Sequence, residues 1–405
     1  MNFLIVSTTD LLGTEGLIVR YRELSKALGA ANHVHLIGVT YKKANMPNFG
    51  PKVHVYPINM LFINRLKKAR KFRFVWQAIW ASMFYFKCFV TLTKIFISKR
   101  IDACLSYTAA ADPLVYFVCR LFRVFWIYDV RGLSETELPH LKVISRRIVP
   151  FLLSLEYFCS AHASKILVGS GRMKEMIISY RNIDSSKVGI SEDGVDTDAF
   201  NPLVPKGIIH TSYNIPESDP IILYVGSISL AKGIDRVIGA MPYLLEKFPT
   251  AKLVVVGGGS FAVDDSTVLR TMVKNLGIEK NVVFTGRVKH PAPFIVDADV
   301  CVAPSYLYFS PIKIYEYLAC AKPVVIDKRV DIAELLVAND AAMPTDTTNY
   351  HELASTIASL LSDKELSQKV SSNGYKIVVS NFTWTMIAKN LTNLVQLELS
   401  RRKHS

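Results

Sequence analysis

Acidic residues are absent from one long stretch of this sequence. No Asp or Glu occurs from Leu24 to Ile101, whereas 14 Lys and Arg residues lie in the same interval. The formal net charge of the 405-residue chain is +14, so this stretch alone accounts for the whole excess of positive charge. Charge confined in this way predicts an anionic partner for one face of the protein. Nucleic acid, an acidic lipid and a polyanionic substrate all qualify.

Paired cysteines and a secretory leader are also lacking. The six cysteines form no CxxC motif and no close pairing with His, which argues against a zinc site and favours buried thiols in a reducing cytoplasm. The N-terminus has no basic region ahead of its apolar residues, unlike a signal peptide. We therefore expect a cytoplasmic protein.

The basic segment from about 62 to 100 carries aromatic residues at helical spacing. Its uncharged run from Phe74 to Phe86 is 13 residues long, short of the roughly 20 that span a bilayer. Apolar positions from 72 to 84 follow i, i+3, i+4 spacing, which gives a helix one broad apolar face. We interpret the segment as an interfacial helix on an anionic membrane, at the inner face of the cytoplasmic membrane. The alternative is a helix that packs this face on a sheet and exposes its basic side.

Strand-like and helix-like segments alternate along the chain. Apolar runs such as Asn2–Ser7, Phe125–Val130, Ile221–Val225 and Lys252–Val256 each lead into a loop and then a helical segment. This alternation predicts an α/β protein with two Rossmann-like, doubly wound parallel-sheet domains that face one another across a cleft. Ligands are expected at the carboxyl ends of the strands.

A polar, Pro-containing stretch separates the two halves and has the composition of a linker. The predicted organisation is an acceptor-binding domain at 1–195, a linker at 196–218, a donor-binding domain at 219–380, and a C-terminal helix at 381–405 that packs back on the first domain.

The loop after Ile221–Val225 is rich in features that suit a phosphate. It contains Gly226 and ends in Lys232 and Gly233, just before a helix whose N-terminus offers backbone N–H groups and the positive end of a dipole. The next strand ends in three glycines, 257–259, which permit close backbone approach but lack the GxGxxG spacing of a dinucleotide fingerprint. Each loop taken alone could be an ordinary turn of an α/β fold.

A loop that becomes a helix at 309–319 carries the strongest local signal. Ser310 is a natural N-cap and Pro311 a favoured first-turn residue. Lys313 and Glu316 lie three apart on one helical face. A carboxylate there can hold ribose hydroxyls while Lys313 faces phosphate. The alternative is an ordinary exposed ion pair.

In order, these pieces resemble the retaining GT-B glycosyltransferases of family 4, and within that family a branch whose donor-site helix begins Pro-x-Lys-x-x-Glu-Tyr. The matching segments are Gly13-Thr14-Glu15-Gly16, Glu192 to Pro202, Gly226 to Gly233, Val256 to Gly259, Phe284 to Val288, and Ala298 to Ser305. The ordered set is far more specific than any one member.

The resemblance implies a nucleotide-sugar site in which Lys232 contacts the diphosphate and Glu316 binds the ribose, while Gly258, Arg287 and Val288 line the base pocket. The full set of implied binding residues is Gly16, Gly226, Ser227, Lys232, Gly258, Arg287, Val288, Ser310, Pro311, Ile312, Lys313 and Glu316. The implied catalytic residues are Asp129, Arg131 and Lys232.

Two positions depart from the family pattern. Tyr308 stands where the family usually has a glutamate that reaches the sugar hydroxyls, and Ser227 stands where an arginine is frequent. These departures leave the donor sugar open. Lys313 would supply charge that the missing arginine does not.

The implied function is a retaining, metal-independent hexosyltransferase that uses a UDP- or GDP-linked sugar and a lipid-linked or oligosaccharide acceptor in surface polysaccharide or glycan biosynthesis. No cofactor is expected. Asp297-Ala298-Asp299 has the form of a metal-binding DxD motif, but it falls at a helix-to-strand junction that the family uses structurally.

Two other functions compete with this one. A non-catalytic nucleotide-sugar or glycan-binding protein would explain Tyr308 and Ser227. Nucleic-acid binding through the basic segment is disfavoured, because its aromatic residues follow a helix face and match no nucleic-acid module.

Overall fold

The computed structural model describes residues 1–11, 16–41, 48–60, 73–107, 112–133, 135, 149–259, 264–305 and 312–404. The chain divides into two compact units. Unit 1 comprises Met1–Asp193 together with Trp384–Ser405, and unit 2 comprises Gly194–Thr383.

Unit 1 is built on a parallel sheet of seven strands in the order β3-β2-β1-β4-β5-β6-β7. Its elements are β1 (Asn2–Asp10), α1 (Gly16–Ala31), β2 (His33–Thr40), β3 (Val53–Asn59), α2 (Arg73–Ser98), β4 (Ala103–Tyr107), α3 (Asp112–Leu121), β5 (Phe125–Val130), α4 (Val149–His162), β6 (Lys165–Val168), α5 (Gly171–Arg181) and β7 (Val188–Ile190). The strand order reverses between β1 and β4, the kind of switch point where open parallel sheets bind ligands.

Burial of both sheet faces explains why the strands of unit 1 are so apolar. All six residues of β5 are buried, and the indole N–H of Trp126 donates to Ser106 Oγ at 2.8 Å. A buried parallel strand needs apolar side chains on both faces, because helices cover the sheet on both sides.

Unit 2 repeats this architecture with six parallel strands in the order β10-β9-β8-β11-β12-β13. Its elements are α6 (Ile208–Tyr213), β8 (Ile221–Val225), α7 (Ile234–Lys247), β9 (Lys252–Val256), α8 (Ser266–Asn275), β10 (Val282–Gly286), α9 (Ala292–Asp297), β11 (Val300–Ala303), α10 (Ile312–Ala319), β12 (Val324–Asp327), α11 (Ala333–Ala338), β13 (Met343–Thr345), α12 (Tyr350–Ser362) and α13 (Lys364–Asn381). The predicted α/β class with two doubly wound parallel sheets is confirmed.

The last helix, α14 (Trp384–His404), belongs to unit 1. Trp384, Ile387 and Leu391 are buried in the same apolar cluster as Leu24 and Leu28 of α1. The C-terminal end of the chain therefore completes the core of the N-terminal unit.

The stretch 196–218 differs from the linker that its composition suggests. It lies in unit 2 and contains α6. Ile209 and Ile215 are buried in the core, and the Asp297 carboxylate accepts the N–H groups of Gly207 and Ile209 at 2.5 and 2.8 Å. Long-range contacts decide this outcome, since nothing in the local composition distinguishes the stretch from a loop.

None of the helices in the described part of the chain is long and apolar enough to cross a membrane.

Candidate functional site

The carboxyl ends of three strands in unit 2, β8, β9 and β10, are joined by backbone hydrogen bonds at glycine residues. The N–H of Gly226 donates to Val256 O at 2.9 Å, and the N–H of Gly257 donates to Gly286 O at 3.0 Å. Gly257 has φ +149°, and a Cβ on it would lie 1.7 Å from Gly226 O. Glycine is therefore required at 257, where both the backbone conformation and the space exclude a side chain.

The phosphate loop predicted after β8 forms a short turn that ends at the start of α7. Ser229 caps a 3₁₀ turn at Leu230–Lys232 by accepting the N–H of Ala231 at 3.3 Å, and Gly233 follows with φ +76°. The N-cap residue of α7 is Gly233, which has no side chain to accept the first N–H groups of the helix. The half-buried Lys232 thus stands beside a helix N-terminus, an arrangement that favours an anion.

The first turn of α10 brings Lys313 and Glu316 together, as their spacing predicts. Lys313 Nζ lies 2.7 Å from Glu316 Oε2, and the lysine side chain is 42% exposed while the glutamate side chain is 7% exposed. In the next position Tyr317 Oη accepts the N–H of Val225 at 2.7 Å. Because Val225 ends β8, the start of α10 and the phosphate loop lie at the same edge of the sheet.

The residues expected to line a base pocket are also neighbours. A Cβ on Gly258 would lie 2.8 Å from Arg287 Cγ, and Arg287 Nη2 donates to Gly259 O at 2.6 Å. Val288 is half-buried and packs on the core. Ser227 offers its carbonyl to the hydroxyl of Tyr224 at 2.9 Å, so it contributes backbone geometry at the position where the family has an arginine.

A buried hydrogen-bond network, which sequence reasoning missed, holds the backbone that follows β11. Pro304 O accepts hydrogen bonds from Arg236 Nη1 at 3.2 Å and Thr347 Oγ1 at 3.0 Å, and Thr347 also donates to Asp327. Burial opposes ionisation of Asp327, but hydrogen bonds from Arg329 and Thr347 hold its pKa below the usual value.

The network fixes the backbone that leads out of β11. A Cβ on Gly233 would lie 2.9 Å from Pro304 O, so the phosphate loop packs against the carbonyl that the network holds. In the next position Ser305 Oγ is buried without a hydrogen-bond partner among the described residues. An orphaned hydroxyl at a strand end is a feature that a bound polar ligand would satisfy.

Several predicted residues fall at or beyond the limits of the described chain. Tyr308, Ser310 and Pro311 lie outside it, as does the loop at 12–15. Gly16 is the first residue of α1, and Ile312 is the first residue of α10.

In unit 1, the predicted catalytic pair lies at the end of β5 as a buried ion cluster. Asp129 is fully buried, and its Oδ1 accepts from Arg131 Nε at 2.9 Å and Nη2 at 2.5 Å. Arg20 Nε and Tyr21 Oη each donate to Asp129 Oδ2 at 3.1 Å. Burial alone would raise the pKa of Asp129, but the charges of Arg131 and Arg20 hold it below the usual range. Both oxygens of this carboxylate already accept hydrogen bonds from the protein, and one of them holds Arg131 in place.

Arg20 is a member of this cluster that sequence reasoning missed. Its Nη1 donates to Asp193 Oδ1 at 2.8 Å and to Glu192 O at 2.9 Å, and its Nη2 reaches Ser191 Oγ at 3.2 Å. The residue is 1% exposed. Arg20 thereby joins α1, the end of β5 and the segment that leaves β7.

A signal for Arg20 does exist in the sequence. It stands three residues after Leu17 and four before Leu24, within the apolar stripe of α1. An arginine on the apolar face of a helix is buried only when carboxylates pair with it.

The two aspartates of the DxD sequence have structural partners. Asp297 accepts the N–H groups at the start of α6, and Asp299 Oδ2 accepts the N–H of Ile221 at 2.7 Å. Asp297 therefore fixes the start of α6, and Asp299 fixes the start of β8.

Comparison with known proteins finds glycosyltransferases among the relatives and the structural neighbours of this chain. Residues 206–377 match the family of glycosyl transferases group 1. The chain is 27% identical over 294 residues to an uncharacterized glycosyltransferase of Methanocaldococcus jannaschii, covering 71% of this chain and 74% of that protein. It is 24% identical over 276 residues to the capsular polysaccharide biosynthesis glycosyltransferase CapM of Staphylococcus aureus, covering 66% and 69%.

Solved structures with the same fold cover the whole chain. Sucrose-phosphate synthase from Thermosynechococcus elongatus superposes with a TM-score of 0.76 at 18% identity over 99% of each chain. Anabaena HepE in complex with UDP and glucose superposes with a TM-score of 0.71 at 16% identity over 97% of this chain and 99% of the other. The match of residues 206–377 to glycosyl transferases group 1 and the structural neighbours thus agree on the GT-B glycosyltransferase fold.

Proposed function

We propose that this protein is a retaining glycosyltransferase that moves a sugar from a UDP- or GDP-linked donor to a lipid-linked or oligosaccharide acceptor in surface glycan biosynthesis. The observation that carries the proposal is the strand-end site of unit 2, where Lys232, Lys313 and Glu316 border the glycine backbone. Two comparisons support it: CapM acts in capsular polysaccharide biosynthesis, and HepE was solved with UDP and glucose.

In the proposed reaction, these residues position the donor and stabilise the charge that develops on it. A retaining transfer by front-face attack develops positive charge on the sugar and negative charge on the departing diphosphate. Lys232, Lys313 and the N-terminus of α7 supply positive potential for that diphosphate without a metal. Glu316 is buried and ion-paired, so its carboxylate is held ready to accept the ribose hydroxyls.

In unit 1, we assign Asp129 as a positioning residue. Its carboxylate is fully buried and engaged by Arg20, Tyr21 and Arg131. It acts through Arg131, the member of the cluster whose hydrogen-bonding capacity is incompletely used.

Titration with nucleotide sugars tests the donor site. Glu316→Ala and Lys232→Ala should each weaken binding of the preferred UDP- or GDP-sugar by about tenfold or more, the effect of losing one charge-assisted hydrogen bond. The matched controls are Glu334→Ala and Lys247→Ala, which remove exposed charges of the same unit. Wild-type affinity in both site variants, with unchanged thermal unfolding, would refute the assignment.

Turnover separates the enzyme from a binding protein of the same fold. Nucleotide release that depends on a lipid-linked or oligosaccharide acceptor supports the transferase, and an NMR coupling constant of the product tests retention of the anomeric configuration. Activity should persist in a chelator if no metal takes part. Tight donor binding without turnover on any acceptor would favour a non-catalytic nucleotide-sugar-binding protein.

We further propose that unit 1 docks on an anionic membrane at the inner face of the cytoplasmic membrane. Large apolar side chains are exposed on three helices, α2, α3 and α4, of which α3 packs on the other two. The most exposed of them are Phe86, Phe89, Ile97, Phe117, Leu121 and Phe151, between 47% and 77% exposed. Exposed basic residues on or next to these helices are Lys94, Lys99, Arg100, Arg120 and Arg123.

An apolar surface with a basic border matches the chemistry of an anionic bilayer interface. Residues 61–72, which belong to the segment predicted to bind membrane, lie outside the described residues.

Sedimentation with vesicles of anionic and zwitterionic lipid tests the proposal. Phe117→Ser/Leu121→Ser should lose binding to anionic vesicles, whereas Leu203→Ser, a change at an exposed apolar residue of unit 2, should not. Absence of vesicle binding by the wild type would contradict it.

A further inference from the structure

We propose that unit 1 carries a binding site for a phosphate-type oxyanion where β5, β6 and the N-terminus of α5 meet, with Arg131 as its central residue. The site would hold the phosphate of the acceptor, so this assignment of the ligand rests on the proposed transferase function. The proposal that the site binds an anion does not depend on that function.

Arg131 has hydrogen-bonding capacity that the protein does not use. Its side chain is 6% exposed, and Nε and Nη2 both donate to Asp129. Its Nη1 is buried and has no hydrogen-bond partner within the described residues. A guanidinium is always charged and presents five N–H donors, so a buried nitrogen with no acceptor is costly unless a ligand completes the site.

A glycine makes room beside this nitrogen. A Cβ on Gly169 would lie only 3.2 Å from Arg131 Nη1. Gly169 directly precedes Ser170, the N-cap of α5, whose hydroxyl accepts the N–H of Met173 at 3.3 Å. Arg131 Nη1 therefore lies next to the start of an 11-residue helix.

The helix terminus adds a second, independent attraction for an anion. Gly171, the first residue of α5, is exposed, and a Cβ on it would meet nothing within 4 Å. Arg172 follows and is also exposed. The first N–H groups of a helix, together with the positive end of its dipole, favour a phosphate at this position.

The neighbouring carboxylates are mostly neutralised by the arginines of the cluster. Asp129 pairs with Arg20 and Arg131, and Asp193 pairs with Arg20. Glu192 is half-buried, and burial and Asp193 raise its pKa against the opposing effect of Arg131. Glu192 is thus a negative group that opposes the anion, and its removal should strengthen binding.

The ligand class follows from the donors. A guanidinium edge and helix N–H groups suit a tetrahedral dianion, which could be a sugar phosphate or the diphosphate of a lipid-linked acceptor. A neutral oligosaccharide offers no such group. The probes are therefore inorganic phosphate, a hexose 6-phosphate, a water-soluble short-chain prenyl diphosphate and a neutral trisaccharide.

Calorimetric titration of the full-length chain provides the test, in a Lys232→Ala/Lys313→Ala background that removes the cations of the donor site. Gly169→Ala fills the space beside Nη1 and leaves the pairing of Arg131 with Asp129 intact. It should weaken binding of the phosphate probes by about tenfold, as should Arg131→Lys, which keeps the charge but loses the fork. Glu192→Gln should strengthen binding, and the control Arg401→Met, at an arginine of α14 whose side chain is 66% exposed, should leave it unchanged.

Each outcome decides the matter. Preference for the prenyl diphosphate assigns a lipid-linked acceptor, and preference for the hexose phosphate assigns a sugar phosphate. Wild-type affinity in Gly169→Ala and Arg131→Lys, or no binding of any phosphate probe, overturns the site. Donor binding by the wild-type chain is measured separately, so failure of the oxyanion site is distinguishable from failure of the transferase proposal.

Discussion

The two units differ in the groups that lie at the carboxyl ends of their parallel strands. In unit 1, the buried side chains of Arg20 and Arg131 both pair with the buried carboxylate of Asp129. In unit 2, Gly226 and Gly257 join the strand ends through backbone alone, and charged side chains border the edge. A buried ion cluster holds its side chains in one arrangement, because each buried charge needs an opposite charge beside it. Strand ends that carry glycine leave backbone N–H groups and space for a ligand.

This difference predicts where substitutions will be felt. Removing a charge from the cluster of unit 1 should appear mainly as lost stability, since a buried partner then loses an opposite charge. Removing a charge from the edge of unit 2 should appear mainly as lost ligand affinity, because that pair is partly solvated. The substitutions below test this difference between the two units.

The largest effect is expected at Arg20. Arg20→Met should lower the free energy of unfolding by about 3 to 5 kcal/mol, because Asp129 loses one of its two cations and Asp193 loses the opposite charge of Arg20. Urea denaturation measures it. Arg120→Met, which removes an exposed arginine of the same unit, should change stability by less than about 0.5 kcal/mol. Equal effects from the two variants would show that burial of the cluster does not matter.

The second effect tests the glycine edge of unit 2. Gly257→Ala should lower the free energy of unfolding by about 2 to 4 kcal/mol. The reason is that φ is +149° and the new methyl group would overlap Gly226 O. Gly277→Ala is the matched control: φ is +68°, nothing lies within 4 Å of the added Cβ, and about 1 kcal/mol is expected. A Gly257→Ala protein as stable as the control would mean that the strand ends can separate at little cost.

A third effect concerns burial of a titratable group elsewhere in unit 1. His35 is 2% exposed, and burial lowers its pKa to about 4, with His54, Lys99 and His33 acting in the same direction. The tyrosine hydroxyl of Tyr56 lies 3.1 Å from its Nδ1. Because an unfolded histidine has a pKa of about 6.5, the unfolded chain binds more protons between these two values.

Stability from this histidine should therefore be complete above pH 6.5 and decline as the pH falls from 6.5 towards 4, by up to about 3 kcal/mol. His35→Gln should flatten that part of the pH profile of the unfolding free energy. His351→Gln, at an exposed histidine of unit 2, should leave the wild-type slope. A slope that survives in His35→Gln would assign the pH dependence to other groups.

The smallest effect on stability is expected at Lys313. Its side chain is 42% exposed, so Lys313→Ala should change the unfolding free energy by less than about 1 kcal/mol. Affinity for the donor should nevertheless fall by about tenfold, because the lysine faces the diphosphate in the proposed complex. A stability loss as large as that of Arg20→Met would erase the contrast between the two units.

Local features of the fold and the site were predictable because their causes are local. The strands at Ile221–Val225 and Lys252–Val256 are confirmed at the same residues, since an unbroken apolar run is what a strand buried on both faces requires. The Lys313–Glu316 contact follows from helical periodicity alone.

Contacts between distant positions were not predictable in this way. Arg20 reaches partners 109 and 173 residues away in sequence, and no local pattern names which carboxylates it meets. The same reason explains why the stretch 196–218 reads as a linker, although Ile209 and Ile215 are buried in unit 2.

The α/β class, the two halves and the order of motifs that ends in Lys313 and Glu316 can be read from the amino-acid sequence, because periodicity and turn residues act over a few positions. Only the tertiary structure shows that Asp129 is a saturated buried carboxylate, that Gly257 must be a glycine, and that a nitrogen of Arg131 has no partner among the described residues. Burial and pairing are set by whichever residues the chain brings together from far apart, and these determine the charge and hydrogen-bonding capacity left for a ligand.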